Sequence, residues 1–196
     1  MLSLDAFSAF LLSSDNSAFM DQHGKIYHDM TRPLCDYFIS SSHNTYLVGN
    51  QVMGDSTIEG YIRALLQGCR SVECKLISQF CFPTLTRSLL VDIYDGDSEP
   101  MVFHGKTLTS KVPVREVCEA IAKYAFVTSP YPIIISAEIR CSVPQQDIFA
   151  MIVHKVFGEA LVSTSSEGHP TIDKLPSPED LKGRVLVKVC VIILDI

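Results

Sequence analysis

The sequence predicts an α/β fold built on a parallel sheet, and three observations carry that expectation. From Pro33 onward, short apolar runs of strand character alternate with segments of helical periodicity. One run, residues 131–138 (YPIIISAE), is apolar almost throughout, as expected of a strand covered on both faces. Ionisable or amide residues recur where successive strands end: His43 and Asn44, then Glu73, then His104, then Glu138.

The elements follow in order. Residues 1–30 read as a short helix around 5–12 and then a polar stretch with Asp15, Asn16, Asp21 and Gly24. That stretch holds no complete calcium loop with alternating acids and a closing Glu, so it reads as the end of a preceding module. Residues 35–41 (CDYFISS) are strand-like. Ser56 with Glu59 forms a capping-box pattern opening a helix with Ile58, Tyr61, Ile62 and Leu65 on one face. Residues 69–73 and 99–104 (EPMVFH) are short strands. Pro113 opens a helix with Val114, Val117 and Ile121 inward. Ser142 with Gln145 is a second capping-box pattern, and Ile148, Met151, Ile152 and Val156 form the inner stripe of its helix. Residues 163–170 form a polar loop, and 184–189 (RVLVKV) a last strand. About five strands are too few to close an eight-stranded barrel. The expected fold is therefore the incomplete first half of a TIM (β/α)8-type barrel with a short N-terminal helical extension.

Composition narrows the function classes. With 196 residues, 47% hydrophobic and 19% charged, the chain can bury one core. A net charge of −6 argues against nucleic acid as the main partner. Seven Cys without a CxxC pair, and a start lacking signal-peptide character, fit free thiols in a reducing, cytoplasmic setting. No apolar run is long enough to span a membrane, so membrane contact is expected to be peripheral.

A single His or Glu at a strand end is usually a loop hydrogen-bonder; four successive strands each delivering one is the stronger signal. In parallel barrels the active site lies at the carboxyl ends of the strands. Two His point to proton transfer or transition-state stabilisation near neutral pH. An Asn with several carboxylates, and no Cys or third His nearby, points to a hard cation such as Ca2+ or Mg2+ and not to zinc. Such a cation facing an anionic substrate fits phosphodiester cleavage.

Residues 30–47 (MTRPLCDYFISSSHNTYL) resemble the opening of the X region of eukaryotic phosphoinositide-specific phospholipase C. So do 61–65 (YIRAL) with 68–70 (GCR), 95–96, 103–105 (FHG) with 107–111, 129–132 (SPYP) and 175–183 (LPSPEDLKG), all in family order. The resemblance implies Ca2+-dependent hydrolysis of phosphatidylinositol 4,5-bisphosphate to inositol 1,4,5-trisphosphate and diacylglycerol at the membrane surface. His43 would stabilise the pentacoordinate phosphorane and His104 would be the general acid. Asn44, Glu73, Asp92 and Glu138 would bind Ca2+, with Glu73 or Glu138 also a candidate base for the inositol 2-hydroxyl. Lys188 matches the first of two phosphate-gripping lysines. The implied domains are 1–30, the end of an EF-hand-like region, then 31–188, the X region, then a tail at 189–196 outside the pattern. The missing partner is the Y half of the barrel.

Two departures bear on activity. The family has two acids two residues apart; here the segment 74–90 (CKLISQFCFPTLTRSLL) stands between Glu73 and the Val91–Asp92 pair. Its codons can spell a splice donor, a branch point and an acceptor, and excision would leave Glu-Leu-Asp. A retained short intron is therefore expected. Cys190 stands where the second lysine belongs. On this reading the chain as written is an inactive truncated or mis-spliced form. A non-catalytic regulatory half-barrel and a self-sufficient X-only phosphodiesterase are the alternatives.

Overall fold

The computed structural model describes residues 3–17, 26–50, 53–74, 91–104, 108–163 and 175–191; for 73, 74, 91, 92, 190 and 191 it describes the backbone alone. The chain divides into two compact units, Met1–Met30 and Thr31–Ile196.

In the first unit, helix α1 (Leu4–Leu11) is capped by Ser3, whose Oγ accepts from the amide of Ala6 at 3.2 Å. The expected helix at 5–12 is thus present, one residue earlier. Much of the polar stretch, 18–25, lies outside the described residues.

The second unit is a curled sheet backed by helices. Strand β1 (Ser41–Ser42) pairs in parallel with β4 (Ser71–Cys74), β4 with β8 (Ile133–Ile139), and β8 with β9 (Val185–Val191). A separate antiparallel pair joins β2 (Leu47–Val48) to β3 (Asp55–Ser56). Helix α2 (Ile58–Leu66) precedes β4; α3 (Val114–Tyr124) precedes β8; α4 (Val143–Phe157) follows it.

Alternation along β8 decides what each face does. Ile133, Ile135, Ala137 and Ile139 belong to the core with Val117 and Ile121 of α3 and Phe149 and Val153 of α4. Each such aliphatic side chain stabilises by about 1.5–3 kcal/mol when fully buried. Ser136 and Glu138 lie on the other face, away from the helices.

Several expectations are corrected. Residues Leu34–Asp36 form a 3-10 turn, the amide of Leu34 donating to the carbonyl of Pro176, and of the expected 35–41 strand only Ser41 pairs, in β1. Strand β6 (Met101–His104) runs antiparallel to β5 (Val91–Tyr94) and pairs onward with β7 (Val112–Pro113). Only 95–100 separate β5 from β6, too short a link for the crossover a parallel pair requires. Neither capping box forms. Ser56 is paired in β3 and the N-cap is Thr57; Ser142 is an N-cap, but its hydroxyl donates to Asp95 Oδ1 at 2.9 Å. In α4 the buried residues are Phe149, Ile152, Val153 and Phe157, while Met151 is exposed. Its middle is apolar nearly all round, so periodicity alone leaves the phase open.

One regularity of the sheet matters most. Along β4, Ser71 lies level with Ile134 and Cys74 with Ala137, without a slip between. Carried onward, that register would put position 76 level with Ile139; Ile93 of β5 stands there instead. The shift from 76 to 93 equals the length of the segment 74–90. Strands β4 and β5 are therefore two halves of one sheet position, out of step by that segment. Strand β9 continues through Val191, so 189–191 of the expected tail extend the sheet.

Candidate functional site

The loop after β1 is held by backbone geometry. Asn44 is buried and sits at φ 49, in the left-handed region that Asn tolerates better than most residues. Its carbonyl accepts from the amide of Leu47 at 2.9 Å, closing a tight turn around Thr45 and Tyr46. The Thr45 hydroxyl reaches Ser42 Oγ at 3.1 Å. Helix α2 presses directly on this turn: a Cβ at Gly60 would lie 1.9 Å from the carbonyl oxygen of Thr45. Gly60 lets the helix seat the segment that presents His43 and Asn44.

Strand register brings the acids together. Glu73 is level with Ser136 across the β4–β8 ladder, and Lys188 is level with Ser136 from the other side. In parallel strands, level residues share a face, so Glu73, Ser136 and Lys188 form one row on the helix-free side. The next row up that face holds Glu138 and Cys190. Asp92, one residue before Ile93, comes level with Glu138 by extension of the Ile93–Ile139 match. His104 closes β6 opposite Val91, one register step from the Asp92–Phe103 pair. It is buried, and its amide donates to Thr109 Oγ1 at 3.2 Å. Alternation gives it the parity of Val102, which belongs to the core, so strand register does not bring His104 into the row of acids.

Glu138 is almost fully buried, with 3% of its side chain exposed, and Arg140 Nη2 lies 3.0 Å from its Oε1. The sequence reading missed Arg140. The signal was available: a cation two residues after an acid on a strand occupies the same face. Arg70 was read only as part of the GCR match. Its guanidinium is drawn into the fold, donating to the carbonyls of Ala125 at 2.6 Å and Tyr131 at 3.3 Å. Burial holds its pKa below the ordinary value, and its bonds fix the start of β4, three residues before Glu73.

The residue types suit a hard cation: acids at register positions 73, 92 and 138, and an Asn at 44 in the loop after β1. Among the described residues, no three His, Cys, Asp or Glu side chains stand together as a metal cage. For Glu73 and Asp92 the backbone alone is described, and it is their rows that support the fit.

Four parallel sheet positions backed by helices, with polar residues gathered at their carboxyl ends, define the class: the first half of a TIM-type barrel with an acidic, His-bearing mouth. The phosphatidylinositol-specific phospholipase C X domain matches residues 30–190, and the chain belongs to that family. It is 48% identical over 189 residues to 1-phosphatidylinositol 4,5-bisphosphate phosphodiesterase delta-4 of Bos taurus, covering 96% of this chain and 22% of that one. The chain thus spans about a fifth of that relative's length. The crystal structure of L. pealei PLC21 superposes with a TM-score of 0.73 at 36% identity, covering 98% of this chain and 23% of the other. A calcium-dependent phosphoinositol-specific phospholipase C from a Pseudomonas species shares the fold, with a TM-score of 0.56 at 14% identity over 89% of this chain and 61% of that one. Among the described residues no helix is long and apolar enough to cross a membrane.

Proposed function

We propose that this chain supplies the X half of a Ca2+-dependent phosphoinositide phospholipase C that cleaves phosphatidylinositol 4,5-bisphosphate to inositol 1,4,5-trisphosphate and diacylglycerol. What supports the reading is register: positions 73, 92, 138 and 188 fall in adjacent rows on the helix-free face of the sheet. The substrate is a lipid headgroup, met from the cytoplasmic side by peripheral contact. The remaining strands come from a second half-barrel that pairs along the outer edge of β9.

Asn44, Glu73, Asp92 and Glu138 would hold Ca2+. When bound, the ion neutralises phosphate charge and lowers the pKa of the inositol 2-hydroxyl. Glu73 or Glu138 takes the proton from that hydroxyl, which attacks the phosphorus. His43 donates to the equatorial oxygens of the pentacoordinate phosphorane. His104 protonates the diacylglycerol oxygen as it leaves. Water then opens the cyclic phosphodiester. Lys188, level with Ser136 as Glu73 is, grips a ring phosphate.

The chain in its present form is inactive on this reading. The ladder is out of step beside Glu138, which favours a second reading as a non-catalytic half-barrel for the uncut form. The assay is Ca2+-dependent release of inositol phosphate. It compares the chain as it stands with a form lacking 74–90 and joined to a downstream half. Release by the corrected form alone is expected. Equal release by both would overturn the claim of inactivity; release by neither would overturn the enzyme reading.

A further inference from the structure

We propose that residues 74–90 are an insertion into a single barrel strand. The carboxylate face around Glu138 is then completed only in a chain shortened by that length, so that one residue is left between Glu73 and Asp92. The inference deepens the proposed function, because that face is the one assigned there to cation and substrate. Its structural half stands on the sheet alone.

Strands β4 and β5 lie on the same edge of β8, in the same direction and in consecutive places. Two separate strands would have no reason to share one edge in phase. The registers of the two halves differ by the length of the segment 74–90, neither more nor less. The join is also over-filled. Cys74 is matched to Ala137, while counting back from the Ile93–Ile139 match brings Val91 to Ala137 as well. Cys74 and Val91 thus claim one place in the ladder. Asp92 belongs beside Glu138, one step before the Ile93–Ile139 match. Taking out 74–90 leaves Val91 alone for Ala137 and returns Asp92 to Glu138. Glu73 and Asp92 are then two positions apart on one face, about 7 Å along the strand.

The length of the segment makes the inference testable, because a one-residue slip flips every side chain beyond it. Deleting 74–90 leaves Glu73-Val91-Asp92, with both acids on the same face. Deleting 74–89 or 74–91 leaves them three or one apart, on opposite faces. All three deletions remove nearly the same apolar material, so a benefit that came merely from losing it would be shared.

The experiment takes the full chain and these three deletions, together with deletion of 75–91, which is as long as 74–90 but keeps Cys74 as the spacer. Hydrogen exchange is followed at the amides of 137–140, and Ca2+ binding is measured by calorimetry. The two in-phase deletions, 74–90 and 75–91, are expected to slow exchange there at least tenfold relative to the parent and to tighten Ca2+ binding at least tenfold. The out-of-phase deletions, 74–89 and 74–91, should do neither. Equal protection in all the deletions, or greatest protection in the parent, overturns the inference. Protection restricted to the in-phase deletions but without Ca2+ binding sustains the single strand and refutes its assignment to a cation.

Discussion

Replacing Arg140 by Met tests how much the buried Glu138–Arg140 pair contributes to stability. The side chains are 12% and 3% exposed and their nearest atoms are 3.0 Å apart. Methionine keeps much of the apolar stem and removes the charge. Breaking one partner of a buried pair costs about 3–5 kcal/mol where nothing else compensates the remaining charge, and Glu138 keeps further interactions. Arg140 retains slight solvent contact, so the lower end of that range, about 3 kcal/mol, is expected for R140M at neutral pH. The chain has no Trp, so unfolding is read by far-ultraviolet circular dichroism in urea. The decisive arm is the double variant R140M/E138Q. With Glu138 neutral there is no stranded charge, and the double variant should be more stable than R140M alone by about 1–2 kcal/mol. A cost under about 1 kcal/mol for R140M, or a double variant as weak as the sum of the singles, would refute the pairing.

Gly60→Ala forces a Cβ into the carbonyl of Thr45, and an overpacking loss of at least about 1–3 kcal/mol is expected by urea titration. Gly60 has no positive φ, so its loss is the clash alone; Gly49→Ala, with no neighbouring atom within 4 Å of the added Cβ, should show only the strain of its φ of 89. The Cys141 thiol is pushed up to about 11, first by burial and then by Asp95. It should stay unmodified by a thiol reagent at about pH 8 while exposed Cys35 reacts. Because its folded pKa lies above the unfolded value, its contribution to stability is present below pH 9 and lost between about 9 and 11. Sequencing cDNA across Glu73 and Asp92 should find transcripts with a single codon between them; universal retention of the segment would sink the splicing explanation.

Much of the architecture was legible because its signals are local. The apolar run ending at Glu138 reads as a strand covered on both faces, and Val114, Val117 and Ile121 declare the inner face of α3. What was not legible depends on competition between distant partners. Ser56 has the chemistry of a cap, yet it is paired in β3, its amide donating to Ser110 Oγ at 2.7 Å. Ser142 likewise spends its hydroxyl on Asp95, far back along the chain. The antiparallel run of β6 follows from the short connection at 95–100, which apolar content does not reveal. Of the site, the strand-end residues were readable one by one. Their rows were not, since register exists only once strands are paired; the spacing of Arg140 from Glu138 was readable, but not that the two are buried against each other.

The hydrogen bonds of β5 and the turn after it run forward along the chain, although β5 also touches β4. Ser142 meets Asp95 through both its amide and its hydroxyl at 2.9 Å, the amide side chain of Gln145 donates to the carbonyl of Gly96, and the amide of Arg140 donates to the carbonyl of Ile93. Covalent continuity across 75–90 is therefore not what docks the second half of the strand. A nick there should leave a complex of two pieces, each carrying half of the candidate site. The place where the strand is interrupted is thus also where the chain could be divided and reassembled by complementation.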